Sequence, residues 1–425
     1  MRRVALVAGH FVPSNLAAVH RARLWSLHLP EFGWEPTIVT THPRHYEERL
    51  DPELEALVPQ GLRIIRTPAL PTRPVRVVGD IGMRALPFHY RALADLARAG
   101  EMDFLHITIP SNYSALLGRP IHDRFGVPYG IDYIDPWVHA YPGTEQPLSK
   151  AWATLRLAER LEPWAVRDAR LITGVAPLYY EPVLERHPHL RTQAVTAAMP
   201  YGGSERDVEM AQDAGRTPYL FDPKDGLFHL MYAGAMLPQA YVVLERLLSA
   251  VKTLRTEAPE VGERLRVHFI GTGKAPDDPH GHNIVPYVER FGLQGVVDEH
   301  PTRIPYLDVL THLAHASAVL VLGSTEKHYT PSKAFQAVLA RRPVLAVLHE
   351  QSTAAQLLRR ARAASVVSFA EGKLPQVAAL RDALAQLVRG EGPSLDEVRW
   401  EEFEQHSARA SARALASALD QATSA

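Results

Sequence analysis

The sequence predicts an α/β protein with two tandem domains, each built on a doubly wound parallel sheet. Its 425 residues exceed one typical hydrophobic core, so two domains are expected. Short apolar runs alternate with helical patterns, which indicates parallel strands covered by helices on both faces. The alternation stops over residues 199–225, which are rich in Gly, Pro, Asp and Ser, and then restarts. We therefore predict one domain over residues 1–200, a second over 201–398 and a terminal segment over 399–425.

The elements of the first domain follow from the periodicity of its apolar residues. Apolar runs predict strands over residues 4–8, 37–40, 62–66, 104–108, 129–132 and 171–174. Helical spacing predicts helices over residues 17–29, 81–99, 113–125 and 148–170. Residues 199–225 are then interpreted as a linker and a loosely ordered entry to the second domain.

The second domain repeats the same alternation. Apolar runs predict strands over residues 227–233, 266–270, 296–299, 319–322 and 344–348. Helices are predicted over residues 241–255, 286–291, 306–314, 334–340, 353–361 and 376–389, and the last, Ala-rich helix over 400–422. Ligands of such sheets bind beyond the carboxyl ends of the strands, and two such domains can face a cleft.

Composition excludes several classes of function. The formal net charge is −1, so no overall field attracts nucleic acid. The absence of cysteine excludes disulfides, thiolate metal sites and cysteine nucleophiles, and fits a reducing compartment. The apolar run after the basic N-terminus is too short for a signal peptide, and no segment approaches the roughly 20 apolar residues of a membrane span. We expect a cytoplasmic protein; contact with the inner face of a membrane and the oligomeric state stay open.

The most informative stretch, residues 319–348, predicts a strand, a polar loop, a helix and a second strand. Thr330 is expected to cap the helix and Pro331 to occupy its first position. A helix start offers free backbone N–H groups and the positive end of a dipole, and Lys333 adds a full charge there. The pattern predicts a phosphate site at the N–H groups of Ser332 and Lys333. An ordinary capped helix with a solvated lysine explains the same residues equally well.

Five motifs, in their order and spacing, resemble the glycosyltransferases of the GT-B fold, and among them the large retaining family 4. They are Ile-Asp-Pro-Trp at 134–137, Tyr-Ala-Gly at 232–234, Phe-Ile-Gly-Thr-Gly at 269–273, the stretch 296–306, and Thr-Pro-Ser-Lys-Ala-Phe-Gln at 330–336 with Ala-Arg-Arg-Pro-Val-Leu at 340–345. The resemblance covers most of the chain. It implies two Rossmann-like domains facing a cleft, with the acceptor side in the first, the nucleotide sugar in the second, and the final segment packed back on the first.

The resemblance also implies a reaction: transfer of a hexose from a nucleoside-diphosphate sugar to a glycan, lipid-linked or small-molecule acceptor, with retention, in polysaccharide or glycoconjugate biosynthesis. No cofactor is expected beyond the donor substrate, and no metal, since the acidic and histidine-containing cluster at 277–282 matches no standard ligand set. Two alternatives stay open. The chain is a catalytically inactive homologue that binds nucleotide sugar or supports a partner enzyme, or it is a sugar-nucleotide epimerase on the same fold.

The resemblance and the predicted strand ends together assign candidate site residues. The catalytic candidates are His106, Asp135 and Lys333. The donor-binding candidates are Gly234, Gly271, Gly273, His300, Ser324, His328, Thr330, Ser332, Lys333 and Gln336. The acceptor-side candidates are Pro13, Ser14 and Asn15 in the loop after the first strand.

Several of these residues also have a purely structural interpretation. His106 is expected to face the cleft, but a hydrogen-bonded core histidine fits equally well. Asp135 precedes a proline, as in many turns, and Gly234 fits an ordinary turn glycine. Arg21 and Arg23 on the first helix could meet an anionic acceptor, but they are interpreted as solvated charges.

One departure from the family pattern concerns two glutamates eight positions apart, expected to touch the transferred sugar and the ribose. Here those positions hold His328 and Gln336, and Glu326 lies out of register. A glutamine amide can still bond a ribose hydroxyl, without the strength of a carboxylate. The cationic pair that many relatives carry just after Gly234 is also missing. The departures leave catalytic competence open.

Overall fold

A computed structural model describes residues 1–72, 79–140, 143–273, 278–327 and 329–424. The chain forms two compact units. The first unit combines Met1–Gly202 with the C-terminal Ala408–Ala425, and the second unit is Gly203–Ser407.

Within the described residues, each unit is built on one parallel sheet. The strands of the first unit are β1 Arg2–Ala8, β2 Trp34–Thr41, β3 Arg63–Thr67, β4 Phe104–Ile109, β5 Tyr129–Tyr133, β6 Leu171–Gly174 and β7 Val195–Ala198, in the order β3-β2-β1-β4-β5-β6-β7. Those of the second unit are β8 Phe228–Ala233, β9 Leu265–Ile270, β10 Val297–His300, β11 Ala318–Leu322, β12 Val344–His349 and β13 Ser365–Phe369, in the order β10-β9-β8-β11-β12-β13. In both sheets the order reverses beside the first strand, which is the doubly wound arrangement predicted from the sequence.

Helices alternate with these strands. They are α1 Ala17–His28, α2 Ile81–Arg98, α3 Gly118–Phe125, α4 Lys150–Val166, α5 Pro177–Arg186, α6 Leu190–Gln193, α7 Glu205–Asp213, α8 Tyr241–Glu257, α9 Pro259–Gly262, α10 Val285–Phe291, α11 Tyr306–His315, α12 Lys333–Leu339, α13 Thr353–Arg360, α14 Val377–Arg389, α15 Trp400–Glu404 and α16 Ala408–Ser424. Short 3₁₀ turns occur at Leu29–Phe32, Pro43–His45, Pro52–Leu57, Asn112–Leu117, Pro238–Ala240 and Leu395–Glu397.

The two units have separate hydrophobic cores. In the first, β1, β4 and β5 are buried along nearly their whole length, which is why their sequences read as continuous apolar runs. In the second, β11 and β12 are fully buried and pack with α8 and α14. Burial of this apolar surface is the main source of stability for each sheet.

A buried ion pair ties α1 to the centre of the first sheet. The Nε and Nη2 atoms of Arg21 donate to the two carboxylate oxygens of Asp132 over 2.5 and 2.8 Å, and Nη1 donates to the carbonyl of Met199 over 2.6 Å. Arg21 and Arg23 are each 1% exposed, so the interpretation of these arginines as solvated charges was wrong. A charge buried at this depth is tolerated only with such partners.

Three element predictions need correction. The presumed linker at 199–225 contains helix α7, whose N-cap Ser204 accepts a hydrogen bond from the Asp207 N–H. The helix predicted over 113–125 begins as a 3₁₀ turn and becomes α-helical only at α3. The final predicted helix is broken into α15, in the second unit, and α16, in the first.

Candidate functional site

Gly234 stands directly after β8, at the carboxyl edge of the second sheet. Its φ of 123° is a conformation that side chains rarely adopt. Its N–H donates to the Ile270 carbonyl over 2.8 Å, and a Cβ on Gly234 would lie 3.1 Å from Nζ of Lys333. Both the backbone conformation and the close approach of Lys333 therefore require glycine here.

The side-chain amine of Lys333 lies at this carboxyl edge of the second sheet. Its Nζ donates a hydrogen bond to the hydroxyl of Tyr232 and lies 3.8 Å from the centre of that ring. Burial lowers the pKa of Lys333 to about 7, from its ordinary value of 10.5. Among the described residues no carboxylate lies within salt-bridge distance of Nζ. The amine is thus held by an aromatic neighbour and has no acidic counter-ion in the part of the chain described.

The glycine loop after β9 adjoins the same place. Gly271 has a φ of 70°, and its N–H donates to the His300 carbonyl over 2.8 Å. The N–H of Gly273 donates to the Pro301 carbonyl over 2.9 Å. A Cβ on Gly271 would lie 4.0 Å from the backbone nitrogen of Gly234. The structure thus gathers Gly234, Gly271 and Lys333, which are distant in sequence, at one edge of the sheet.

The start of α12 differs from the prediction. The helix begins at Lys333, and the Thr330 hydroxyl is hydrogen-bonded over 2.7 Å to the hydroxyl of Thr353 instead of to the helix. Ser332 precedes the helix without a side-chain capping bond. The prediction of Thr330 as N-cap with Pro331 in the first turn was therefore wrong. The helix begins two residues after Pro331, and the Thr330 hydroxyl bonds to Thr353, the first residue of α13.

Gln336 lies on α12, one turn beyond Lys333. Its side-chain Oε1 is buried and has no hydrogen-bond partner within the described residues. A buried acceptor without a donor is costly, and a ligand hydroxyl would satisfy it. His328, the other residue that stands where the family pattern has a glutamate, lies outside the described residues.

Ser324 and His300 are engaged in local bonds. Ser324 is 1% exposed; its hydroxyl donates to a carboxylate oxygen of Glu326 over 3.1 Å and accepts from the Glu326 N–H over 3.3 Å. His300 Nε2 is 2.8 Å from the Thr302 hydroxyl, and burial, followed by the charge of His282, lowers the pKa of His300. The Ser324 hydroxyl and the His300 Nε2 therefore contact a ligand only if they exchange these partners, and both residues stay predictions as donor-binding residues.

Glu299 is a residue of this region that the sequence analysis missed. Its buried carboxylate accepts from the Thr272 hydroxyl over 2.5 Å and from the backbone N–H groups of Asn283, Ile284 and Val285 over 2.9–3.0 Å. It thereby caps α10 and fixes the glycine loop to that helix. Contacts between a strand end and a loop 14 to 16 residues away carry no local pattern.

The first unit places His106 in its interior. The residue lies inside β4 and is 0% exposed, with Nε2 3.5 Å from the Thr173 hydroxyl. That hydroxyl donates to Asp132 over 2.6 Å. Burial lowers the pKa of His106 to about 4, so the ring is neutral. The expectation that His106 faces a substrate was wrong, and the core-histidine alternative describes it.

Asp135 and the acceptor-side loop have different exposures. Asp135 is exposed just after β5, where a strand-end carboxylate can meet a ligand. Pro13 and Ser14 are buried, which is against their predicted contact with an acceptor, and Asn15 is half-buried. The Ser14 hydroxyl donates over 2.5 Å to Glu48, a residue that the sequence analysis did not select.

No group of three or more histidine, aspartate or glutamate side chains is arranged to hold a metal ion in the described part of the chain. None of the described helices combines the length and apolar character needed to cross a membrane. Residues 274–277, which include part of the cluster noted in the sequence, lie outside the described residues.

Comparisons with known proteins address the fold. No protein-family model and no curated protein sequence matches the chain. Among solved structures, it is similar to HepE of Anabaena in complex with UDP-glucose, at 12% identity over 98% of both chains with a TM-score of 0.62. It is also similar to the trehalose 6-phosphate synthase of Burkholderia multivorans, at 13% identity, 99% and 98% coverage and a TM-score of 0.63.

A third similar structure is the sucrose-phosphate synthase of Thermosynechococcus elongatus, at 14% identity, 100% and 94% coverage and a TM-score of 0.57. The chain has the GT-B fold. This confirms the fold predicted from the sequence, two Rossmann-like sheets in tandem. At these identities the likeness concerns the GT-B architecture, and the residues that would act in it must be argued from this chain's own geometry.

Proposed function

We propose that the protein is a retaining, metal-independent glycosyltransferase that moves a hexose from a nucleoside-diphosphate sugar to a hydroxyl-bearing acceptor. The second unit binds the donor and the first unit the acceptor, which is a glycan, a lipid-linked sugar or a small molecule. The reaction needs no cofactor besides the donor, and it takes place in the cytoplasm.

The observation that carries this proposal is the position of Lys333. A cation without a described counter-ion sits against Gly234 at the carboxyl edge of a doubly wound sheet, where such folds bind their ligands. A diphosphate supplies the missing negative charge, and Gly234 lets it approach the backbone closely. As the sugar leaves, the diphosphate gains charge, which an adjacent ammonium group stabilises.

The donor's ribose is assigned to Gln336. Its orphaned Oε1 accepts a hydrogen bond from a ribose hydroxyl, one helical turn from the phosphate-binding Lys333. In the first unit, exposed Asp135 after β5 is a candidate for holding the acceptor, whereas His106 is enclosed in the core.

The test is incubation with UDP-, GDP-, ADP- and dTDP-sugars, measuring donor binding by calorimetry and nucleotide release by chromatography. We expect micromolar to millimolar binding of one nucleotide class and slow donor hydrolysis even without an acceptor. Absence of binding to every donor contradicts the proposal.

The glutamine at 336 favours a second candidate, a nucleotide-sugar-binding homologue without turnover. Its ribose contact lacks the charge-assisted strength that the family pattern has. Binding with no nucleotide release, with or without a panel of sugar acceptors, identifies this candidate in the same experiment.

A further inference from the structure

A histidine–glutamate pair joins the loop that follows β1 to the loop that follows β2, at the carboxyl edge of the first sheet. His10 Nδ1 is 2.7 Å from Glu48 Oε1. The same carboxylate oxygen accepts the bond from the buried hydroxyl of Ser14. The ring of His10 packs on the ring of Tyr46, with centres 4.6 Å apart and planes inclined by 33°. Glu48 and Tyr46 therefore fix the orientation of the imidazole, and Ser14 holds the Glu48 carboxylate.

The proton positions in this cluster follow from the charge of Glu48. Burial acts to raise the pKa of Glu48, but the hydrogen bond and charge of His10 and the bond from Ser14 oppose it, and the net effect lowers the pKa to about 2. A carboxylate can only accept hydrogen bonds, so Nδ1 of His10 and the hydroxyl of Ser14 both donate. The other ring nitrogen of His10, Nε2, takes no part in these bonds.

That Nε2 atom has no hydrogen-bond partner among the described residues, and it is not enclosed in the core. The side chain of His10 is 22% exposed, whereas that of Glu48 is 11% exposed. His10 is thus the more exposed member of the pair, and its Nε2 is the ring nitrogen that is not engaged by the protein.

The loop that contains His10 is also anchored by two hydrogen bonds of its backbone. The N–H of Phe11 donates to the Tyr46 hydroxyl over 2.9 Å, and the N–H of Asp51 donates to the Pro13 carbonyl over 2.7 Å. Tyr46 in turn donates to the Thr41 carbonyl over 2.8 Å, at the end of β2. The imidazole is preorganised by the ends of two strands, as a binding residue should be.

We propose that His10 is an acceptor-binding residue of the first unit, with Nε2 forming a hydrogen bond with a hydroxyl of a sugar or polyol, and that Glu48 and Ser14 position it. This inference rests on the proposed glycosyl transfer. It moves the acceptor contact predicted for Ser14 to His10, because Ser14 is buried and its proton is engaged by Glu48.

The molecule offers a matched control. His28 Nδ1 is also 2.7 Å from a glutamate, Glu31, but this pair lies at the end of α1, away from the strand ends that bind ligands. The experiment compares wild type with His10→Ala, Glu48→Gln and His28→Ala. Each is given the donor that wild type binds, together with glycerol or 4-nitrophenyl glycosides as acceptors.

We expect His10→Ala to lower kcat/KM for the acceptor by at least about tenfold, with the donor Kd unchanged within about twofold. Glu48→Gln should raise the acceptor KM with little change in donor Kd, a split that simple loss of structure would not give. His28→Ala should behave as wild type. Unchanged transfer by His10→Ala, or an equal loss of donor affinity, overturns the assignment.

A second measurement needs neither donor nor turnover, so it separates failure of this inference from failure of the proposed function. Diethyl pyrocarbonate modifies accessible imidazole nitrogens, and peptide mass mapping reports each histidine. We expect His10 to react, the buried His106 not to react, and glycerol or 4-nitrophenyl glycosides to slow modification of His10 but not of His28. An unreactive His10, or a rate that none of these probes lowers, overturns the inference.

Discussion

The amino group of Lys333 donates a hydrogen bond to the hydroxyl of Tyr232 while lying 3.8 Å from the centre of the same ring. Tyr232 is itself buried near the end of strand β8. The strand therefore holds Lys333, the first residue of a helix that begins 101 residues later. This contact fixes a cation at the sheet edge without neutralising it. The first two predictions follow from it.

Lys333→Ala should weaken nucleoside-diphosphate binding without unfolding the protein. Loss of a charge-assisted contact costs about 1.5–3 kcal/mol, or roughly ten- to a hundredfold in affinity. Calorimetry on the folded variant measures it. Lys327→Ala is the matched control, since Lys327 pairs with Glu371 on the surface of the same unit. If the two variants bound the nucleoside diphosphate with equal affinity, Lys333 would not contact it.

Donor affinity should fall as pH rises above 7. Burial sets the pKa of Lys333 in the free protein to about 7, and a neighbouring diphosphate raises it, so binding takes up a proton above that pH. Affinity then falls by up to about tenfold per pH unit until the bound amine also titrates. Calorimetry in buffers of different ionisation enthalpy counts the protons. Lys333→Met should show no such dependence; a flat profile in wild type contradicts the prediction.

Gln336→Glu should tighten donor binding and destabilise the free protein. A carboxylate accepts ribose hydroxyl bonds more strongly than an amide does, but at this buried position it has no described donor when the ligand is absent. Thermal melts with and without donor measure both effects. Weaker binding by the variant would mean that Gln336 meets another group.

Gly234→Ala should lower donor affinity by displacing Lys333. The added methyl group would lie 3.1 Å from Nζ, and alanine also resists a φ of 123°. Gly226→Ala is the control, because Gly226 has a φ of 81° with nothing within 4 Å of the added Cβ. A pure backbone effect would destabilise both variants and leave both donor affinities near wild type.

Asp132→Asn should destabilise the first unit by about 3–5 kcal/mol, because it leaves Arg21 buried without its counter-ion. Denaturant unfolding measures the loss. Glu101→Gln, which breaks the exposed Arg63–Glu101 pair, should change stability little. A small effect of Asp132→Asn would mean that water reaches the arginine.

The sequence predicted the central strands correctly, because β1, β4, β11 and β12 are buried on both faces and read as apolar runs. It missed β7 and β13 at the sheet edges, where the residues are half-buried or exposed and the pattern is weak.

Site residues were harder to predict where partners are distant in sequence. The Thr330 hydroxyl was assigned to its own helix because Thr353, which it meets, is invisible to a local pattern. Arg21 looked like a surface charge because Asp132, 111 residues away, gave no sign of the pairing. His10 and Glu48 lie in separate loops, and only the topology of the sheet brings them together.

Helix α16 follows the second unit along the chain but belongs to the first unit. Trp25 Nε1 donates to Ser411 over 2.9 Å, and Trp34 Nε1 donates to Asp420 over 3.0 Å, so the first unit is completed by side chains from the end of the chain. The second unit, Gly203–Ser407, is continuous. During synthesis on the ribosome, the second unit can therefore finish folding first, while the first unit waits with two uncovered tryptophans. Their fluorescence would report when the last helix docks.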